Sequence, residues 1–427
     1  VKLLSRPLLS AIFTSAMAGY LLAIFMAYLG IHLENLGAVA FLIGVVFFSR
    51  NFFQIFLRVP FGELAQIVGR KPLITLGTLC YVIAFALMYL ANSWVLVLIA
   101  TFVVAVGMSL YYPAMFSYIG DIAEGDYGKI NGYIFQGGDI GVILGTFLSS
   151  YLLRHEIVDL NGLFLVGAGI GTIGVIIIHF VLSEVLDPES KRDVDSIPLA
   201  LFASFRDSLG ALKKMTQEAP FGRIYVFQFV ISFTEYFTKS FFPLIVVLYL
   251  QYSKSTVSDI ILITTLSIFF IKPYLGSISD KYGFRTPVLI ALTINAISLA
   301  LLTQTSNLVV VIILYAVIVS SSLTSYFAVN GATSNAAGAS SRGLALGALG
   351  FWVSFGRSTS SLVLTPIWNW YEVTTGNKGL AVRNIFLVAS AIILFAVIVL
   401  TYISRDIEVK PPSDRQAELE LQSNIKA

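Results

Sequence analysis

The sequence predicts an all-α integral membrane protein, with twelve transmembrane helices arranged as two pseudo-symmetric six-helix bundles. Three observations predict it. Of 427 residues, 57% are hydrophobic and 12% charged, with a mean hydropathy of +0.85, whereas a soluble domain carries about 25% charged residues. Apolar stretches of bilayer-crossing length recur along the whole chain. A short basic loop with glycines seven apart also appears twice, 214 positions apart, each copy flanked by apolar segments.

Taken in order, the spans fall at about 8–32, 38–61, 73–91, 94–119, 129–152 and 160–182. A second set follows at about 223–250, 257–275, 287–304, 307–333, 342–369 and 380–403. The first bundle is thus 1–182 and the second 223–403, joined by a polar linker at 183–222 and followed by a tail at 404–427. The stretch from Leu8 is long enough to span and is not followed by a small-residue cleavage site, so it reads as a helix rather than a leader. Within the linker, Leu201, Phe202, Phe205, Leu209 and Leu212 recur at helical spacing, opposite Arg206, Asp207, Lys213 and Lys214. That pattern predicts an amphipathic helix, lying on the membrane surface or packed on the ends of the bundle. The tail, with Pro411 and Pro412 in a charged run, has the composition of a mobile segment.

Orientation follows from the loop cations. With both termini cytoplasmic, eighteen Lys and Arg lie on the inner side, among them Lys2, Arg70, Lys71, Lys129, Lys191, Arg192, Lys281, Arg342, Lys410, Arg415 and Lys426. Only Arg154, Lys254, Lys378 and Arg383 lie on the other. The expected location is the cell membrane.

The repeated loop carries a family resemblance. Gly62 to Pro72 reads GELAQIVGRKP and Gly276 to Pro287 reads GSISDKYGFRTP, so Gly62 matches Gly276, Gly69 matches Gly283 and Lys71 matches Arg285. Both resemble the loop between helices 2 and 3 of the major facilitator superfamily, written G-x-x-x-D-x-x-G-R-K. The first copy departs from the pattern. Gln66 replaces the aspartate and Ile67 the following arginine, while Asp280 keeps the acid in the second copy. At the inner end of the fourth span Asp121 is placed to pair with Arg70; its counterpart is Asn335. In the family this charge cluster latches the outward-facing state, so Gln66 implies a weaker latch.

Charges near the bilayer centre cost roughly 2.5–3.5 kcal/mol each on insertion scales, so a retained one has a partner or a task. Five stand out: Arg50 in the second span, Asp139 in the fifth, Glu235 and Lys239 in the seventh, and Arg357 in the eleventh. In the seventh span Gln228, Ser232, Glu235 and Lys239 form one polar stripe, with Glu235 and Lys239 in the favourable i,i+4 order. The pair reads equally as a self-neutralising structural contact or as a coupling or substrate site. Arg50 and Gln54 share a face with Arg58, which lies near the inner surface within reach of headgroups. In the fifth span Gly137, Gly141, Gly145 and Ser149 recur every four residues, a stripe for close helix approach, with Gln136 and Asp139 on the opposite side. Asp139 reads equally as a protonatable site or as Arg50's partner. A looser stripe, Gly350, Ser354 and Ser358, lies beside Arg357. Ser322, Tyr326 and Asn330 on the tenth span, and Tyr20 and Tyr28 on the first, suit hydrogen bonding to a substrate or to a neighbouring helix.

The resemblance covers the whole chain and implies alternating access around a midplane site, with spans 3, 6, 9 and 12 outermost. Those four carry almost no charge away from their ends. Thr146 stands where the family's drug-antiporter branch has a proline in its G-x-x-x-G-P signature, and the fourth span lacks that branch's buried arginine. Nothing resembles a nucleotide-binding loop, so an ion or substrate gradient supplies the energy. The five midplane charges sum to +1, which favours an anionic or zwitterionic solute unless they pair. The expected partners are a small-molecule substrate, a proton or other ion and the lipid bilayer. No nucleic acid, cofactor or metal is expected: His32, His155 and His179 are scattered and Cys80 is the single cysteine. The chain is read as a monomer and a proton-coupled carrier of a small polar or anionic solute. The alternatives are an exporter of amphipathic compounds and a non-transporting sensor or intramembrane enzyme, for which no catalytic constellation is present.

Overall fold

A computed structural model describes residues 5–122, 127–186, 196–218, 221–337 and 342–405. Lys2, Lys191, Arg192, Pro411, Pro412, Lys410, Arg415 and Lys426 lie outside the described residues, as do the side chains of Lys129, Phe202, Asp207, Leu209, Asp280, Lys281 and Arg342.

The described residues are almost wholly helical. The helices are α1 (Arg6–Asn35), α2 (Ala40–Ile67), α3 (Arg70–Leu90), α4 (Trp94–Ile122), α5 (Tyr127–Arg154), α6 (Leu160–Val181), α7 (Ile197–Gln217), α8 (Phe221–Leu244), α9 (Lys254–Tyr282), α10 (Arg285–Leu302), α11 (Leu308–Ala336), α12 (Arg342–Thr375) and α13 (Lys378–Ile403). Each expected span lies on a helix whose ends fall within a few residues of it. Among the described residues, ten helices are long and apolar enough to cross a bilayer. α5 and α12 have the length, but their glycines, serines and charges dilute the apolar content below that mark. α7 is the amphipathic linker helix.

Local chemistry sets the ends. Asp159 caps α6 by accepting from Gly162 N at 2.7 Å, and Asn307 caps α11 by accepting from Val309 N and Val310 N. Pro243, near the end of α8, cannot donate to the helical ladder, and the next turn, Ile245–Tyr249, widens into a π-helix. Gly69 and Gly283 hold φ of +119° and +70°, backbone that a side chain would strain. These glycines turn the chain between α2 and α3 and between α9 and α10.

By packing, the chain divides into two compact units that cut across the sequence halves. Unit 1 comprises 1–209, 239–266 and 361–382; unit 2 comprises 210–238, 267–360 and 383–427. In unit 1, α1 packs on α5 and α6, α3 on α4 and α6, and α2 on α4; in unit 2, α10 packs on α11. The small-residue stripe of α5 faces α1: a Cβ at Gly141 would lie 1.9 Å from the Ala16 carbonyl oxygen, and one at Gly145 2.9 Å from that of Tyr20. Ile173, Ile176 and Phe180 on α6 and Phe395, Ile398 and Tyr402 on α13 are exposed, as lipid-facing side chains would be.

Candidate functional site

In unit 2 the polar stripe of α8 meets α12. A Cβ at Gly356 would lie 2.5 Å from the Phe229 carbonyl oxygen, so α12 approaches α8 closely at this glycine. The close approach brings Arg357 to Glu235, with Nη2 donating to Oε2 at 3.0 Å. The two side chains are 20% and 16% exposed, so the pair is accessible at its edge. Gln228 and Ser232, two turns and one turn earlier, are fully buried, and Gln228 Nε2 donates to Ser232 Oγ at 2.8 Å. Gln228 Oε1 and Ser358 Oγ have no hydrogen-bond partner among the described residues. On α11, Asn330 donates to the Tyr326 carbonyl of its own helix, while Ser322 accepts from Asn295 of α10 and so serves a neighbouring helix.

In unit 1 Arg50 is 4% exposed and donates to the Met26 sulfur. Gln54, fully buried, donates to Met108 Sδ and accepts from Arg58 Nη2 at 3.0 Å. Arg58 thus gives one of its donors to a buried amide oxygen one turn earlier on its own helix, an acceptor that apolar surroundings lack. Gln136 and Asp139 are half-buried on α5, and Lys239, assigned to this unit, is exposed. Tyr20 is buried, its hydroxyl without a partner among the described residues.

The end of unit 1 that carries the Gly69 loop, here the linker end, holds a compact charge cluster. Arg70, 4% exposed, donates from Nε to Asp121 at 2.9 Å, from Nη1 to the Ala65 carbonyl at 2.7 Å and from Nη2 to Gln66 Oε1 at 3.0 Å. Glu184, just beyond α6, accepts from the backbone N–H groups of Arg70 and Lys71 at 3.2 and 3.0 Å, placing a carboxylate on the N-terminus of α3. A Cβ at Gly69 would lie 2.5 Å from Glu184 Oε2. In unit 2, Arg285 at the matching loop donates to Ser404 Oγ at 2.9 Å and to the Thr401 carbonyl at 3.2 Å. Gly62 and Gly276 lie inside the last turns of α2 and α9.

At the opposite, far end of unit 1, segments from the two sequence halves are fastened together. Ser258 on α9 bonds to Tyr28 on α1 at 2.6 Å and to Ser149 on α5 at 2.8 Å. The next residue, Asp259, pairs with Arg154 and accepts from Ser150. Lys378 pairs with Glu34 at 2.9 Å. A Cβ at Gly44 on α2 would lie 2.0 Å from Thr365 Oγ1 on α12, and Phe241 stacks edge-on to both Phe47 and Trp368. Glu34, Asp259 and Glu184 were not singled out from the sequence, and Arg154 only as an outer-side loop cation. Asp259 alone carried a usable signal, a carboxylate inside the expected eighth span.

The sequence profile of the Major Facilitator Superfamily matches residues 8–223 and again residues 224–426. The chain belongs to that family. The double match puts the two halves of this facilitator in register with one pattern. It is 31% identical over 136 residues to the multidrug resistance protein MdtH of Blochmanniella floridana, covering 31% of this chain and 34% of that protein. It is 33% identical over 146 residues to an MFS-type transporter of Mycobacterium tuberculosis strain H37Rv, covering 33% and 34%, and 28% identical over 186 residues to one of Methanocaldococcus jannaschii, covering 42% and 46%. These matches span a third to just under half of each relative. Its fold is like that of the nucleoside transporter NupG, with a TM-score of 0.74 at 16% identity over 92% of this chain and 99% of that one. It is also like that of a bacterial homologue of the lysosomal transporter Spinster, at 0.71 and 14% over 95% and 96%.

Proposed function

We propose that this facilitator is a secondary active transporter that moves a small polar or anionic solute across the cell membrane by alternating access, coupled to protons. It would act as a twelve-span monomer with both termini cytoplasmic. The observation that carries this reading is the Glu235–Arg357 ion pair on α8 and α12. Two charges within membrane-spanning helices are costly to retain, and an accessible edge lets a solute or proton reach them. Protonating Glu235 would release Arg357 for an anionic group. Asp139 is the second carboxylate to test, with Arg50, Gln54, Gln136, Gln228, Tyr20, Lys239, Tyr326 and Asn330 as further contacts. The fastened far end supports a state closed on that side, which inner-side opening would complement.

The test is transport in proteoliposomes with an imposed pH gradient, using a solute found by thermal-shift screening. Solute-driven proton flux lost in Glu235→Gln or Asp139→Asn supports the reading; flux unchanged in both overturns the coupling assignment. A second reading, export of amphipathic compounds, is favoured by the likeness to a multidrug resistance protein. It predicts that amphipathic cations, not polar anions, shift the melting temperature.

A further inference from the structure

Beside the far-end contacts of unit 1 lies a solvent-open pocket of about 380 Å³, lined among others by Glu156, Asp159, Ser253, Lys254 and Ser255. That volume is within the range of small-molecule sites. Its walls come from the α5–α6 connection and from the start of α9. Most of its polar groups are already engaged. Asp159 Oδ1 caps α6 through Gly162 N, and Ser253 Oγ bonds to Ser255 and Thr256. Glu156 and Lys254 differ. Neither the Glu156 carboxylate nor the Lys254 ammonium has a hydrogen-bond or ion-pair partner among the described residues, although both line the same space and carry opposite charge. Lys254 also opens the 29-residue helix α9, whose N-terminal N–H groups favour a negative charge at the same wall.

We propose that this cavity is a second binding site, distinct from the membrane-embedded residues above, for a small zwitterion. Its ammonium sits against Glu156 and its carboxylate against Lys254 and the start of α9. Opposite charges held apart across a cavity discriminate against ligands bearing only one of them, since a single-charge ligand desolvates the other wall without compensating it. The site joins the two segments that Arg154–Asp259 and Ser149–Ser258 fasten, so an occupant would hold the far end closed. That consequence rests on the transport reading; the binding does not.

Binding is read by thermal shift and calorimetry on the purified full chain, with L-alanine and 4-aminobutyrate as zwitterions of two lengths and butyrate and butylammonium as single-charge controls. We expect saturable binding of at least one zwitterion and of neither control. Glu156→Gln and Lys254→Gln should each weaken it about ten-fold, equivalent to about 1.4 kcal/mol, while Glu235→Gln binds as the unaltered chain does. No saturable binding of either zwitterion, binding indifferent to both cavity substitutions, or binding lost in Glu235→Gln would each overturn the proposal. Failure of proton-coupled transport with this pattern intact would leave the cavity site standing.

Discussion

The two copies of the glycine loop share one pattern of glycines and are held in different ways. At the first, Arg70 is buried and spends its guanidinium on Asp121, Gln66 and a carbonyl, while Glu184 caps the helix behind it. At the second, among the described residues, Arg285 reaches neutral oxygens, the Ser404 hydroxyl and the Thr401 carbonyl at the end of α13. Both loops tie the start of their third helix to the end of their sixth, but one does so with charge and the other without. The glycine spacing preserves the turn; what surrounds the turn sets how strongly it is locked. Gln66, which the resemblance marks as a lost acid, still accepts from Arg70 at 3.0 Å. The first latch is therefore reduced in charge while keeping that hydrogen bond.

The largest contrast should come from removing the two arginines. Arg70→Ala leaves Asp121 facing a buried gap and should cost about 3 kcal/mol, at the low end for breaking a buried pair because Asp121 is 31% exposed. Arg285→Ala forfeits neutral hydrogen bonds and should cost about 1 kcal/mol. Melting temperatures of the two variants check the order, and an equal loss would break the comparison. Next come the glycines. Gly69→Ala meets both a strained φ and the Glu184 carboxylate, costing roughly 1–3 kcal/mol. It should lower the melting temperature and be partly rescued by Glu184→Ala, a rescue that Gly283→Ala should not show. Smallest is Gln66→Asp, which converts a neutral contact to Arg70 into a charged one worth about 1 kcal/mol more. Turnover should slow by about five-fold, with far-end cysteine accessibility rising; unchanged rates and accessibility would remove the loop from the gating mechanism.

Helix positions were legible because a bilayer demands long apolar runs, and the α5 stripe was legible because glycines at intervals of four leave a groove that a second helix must fill. Local chemistry was legible too, as with Asp121 beside Arg70. Partners far apart in sequence were not. The Glu235 carboxylate bonds to Arg357, 122 positions away, a contact that the polar stripe on its own helix did not announce. Arg154, Asp259 and Glu34 sit at or near span ends, where single charges ordinarily face water. Only the folding together of 239–266 and 361–382 with the first half gives them their contacts. Periodicity reports which face of a helix is buried, but not which helix will cover it.

Alternating access, as proposed above, requires the fastened far end to part in a second state. Ser149 Oγ and Ser258 Oγ, 2.8 Å apart on α5 and α9, allow this to be measured directly. In a Cys80→Ser background, Ser149→Cys with Ser258→Cys should form a disulfide under mild oxidation, abolish solute uptake into proteoliposomes, and recover uptake on reduction. A disulfide that forms fully while uptake continues at the reduced rate would contradict the account.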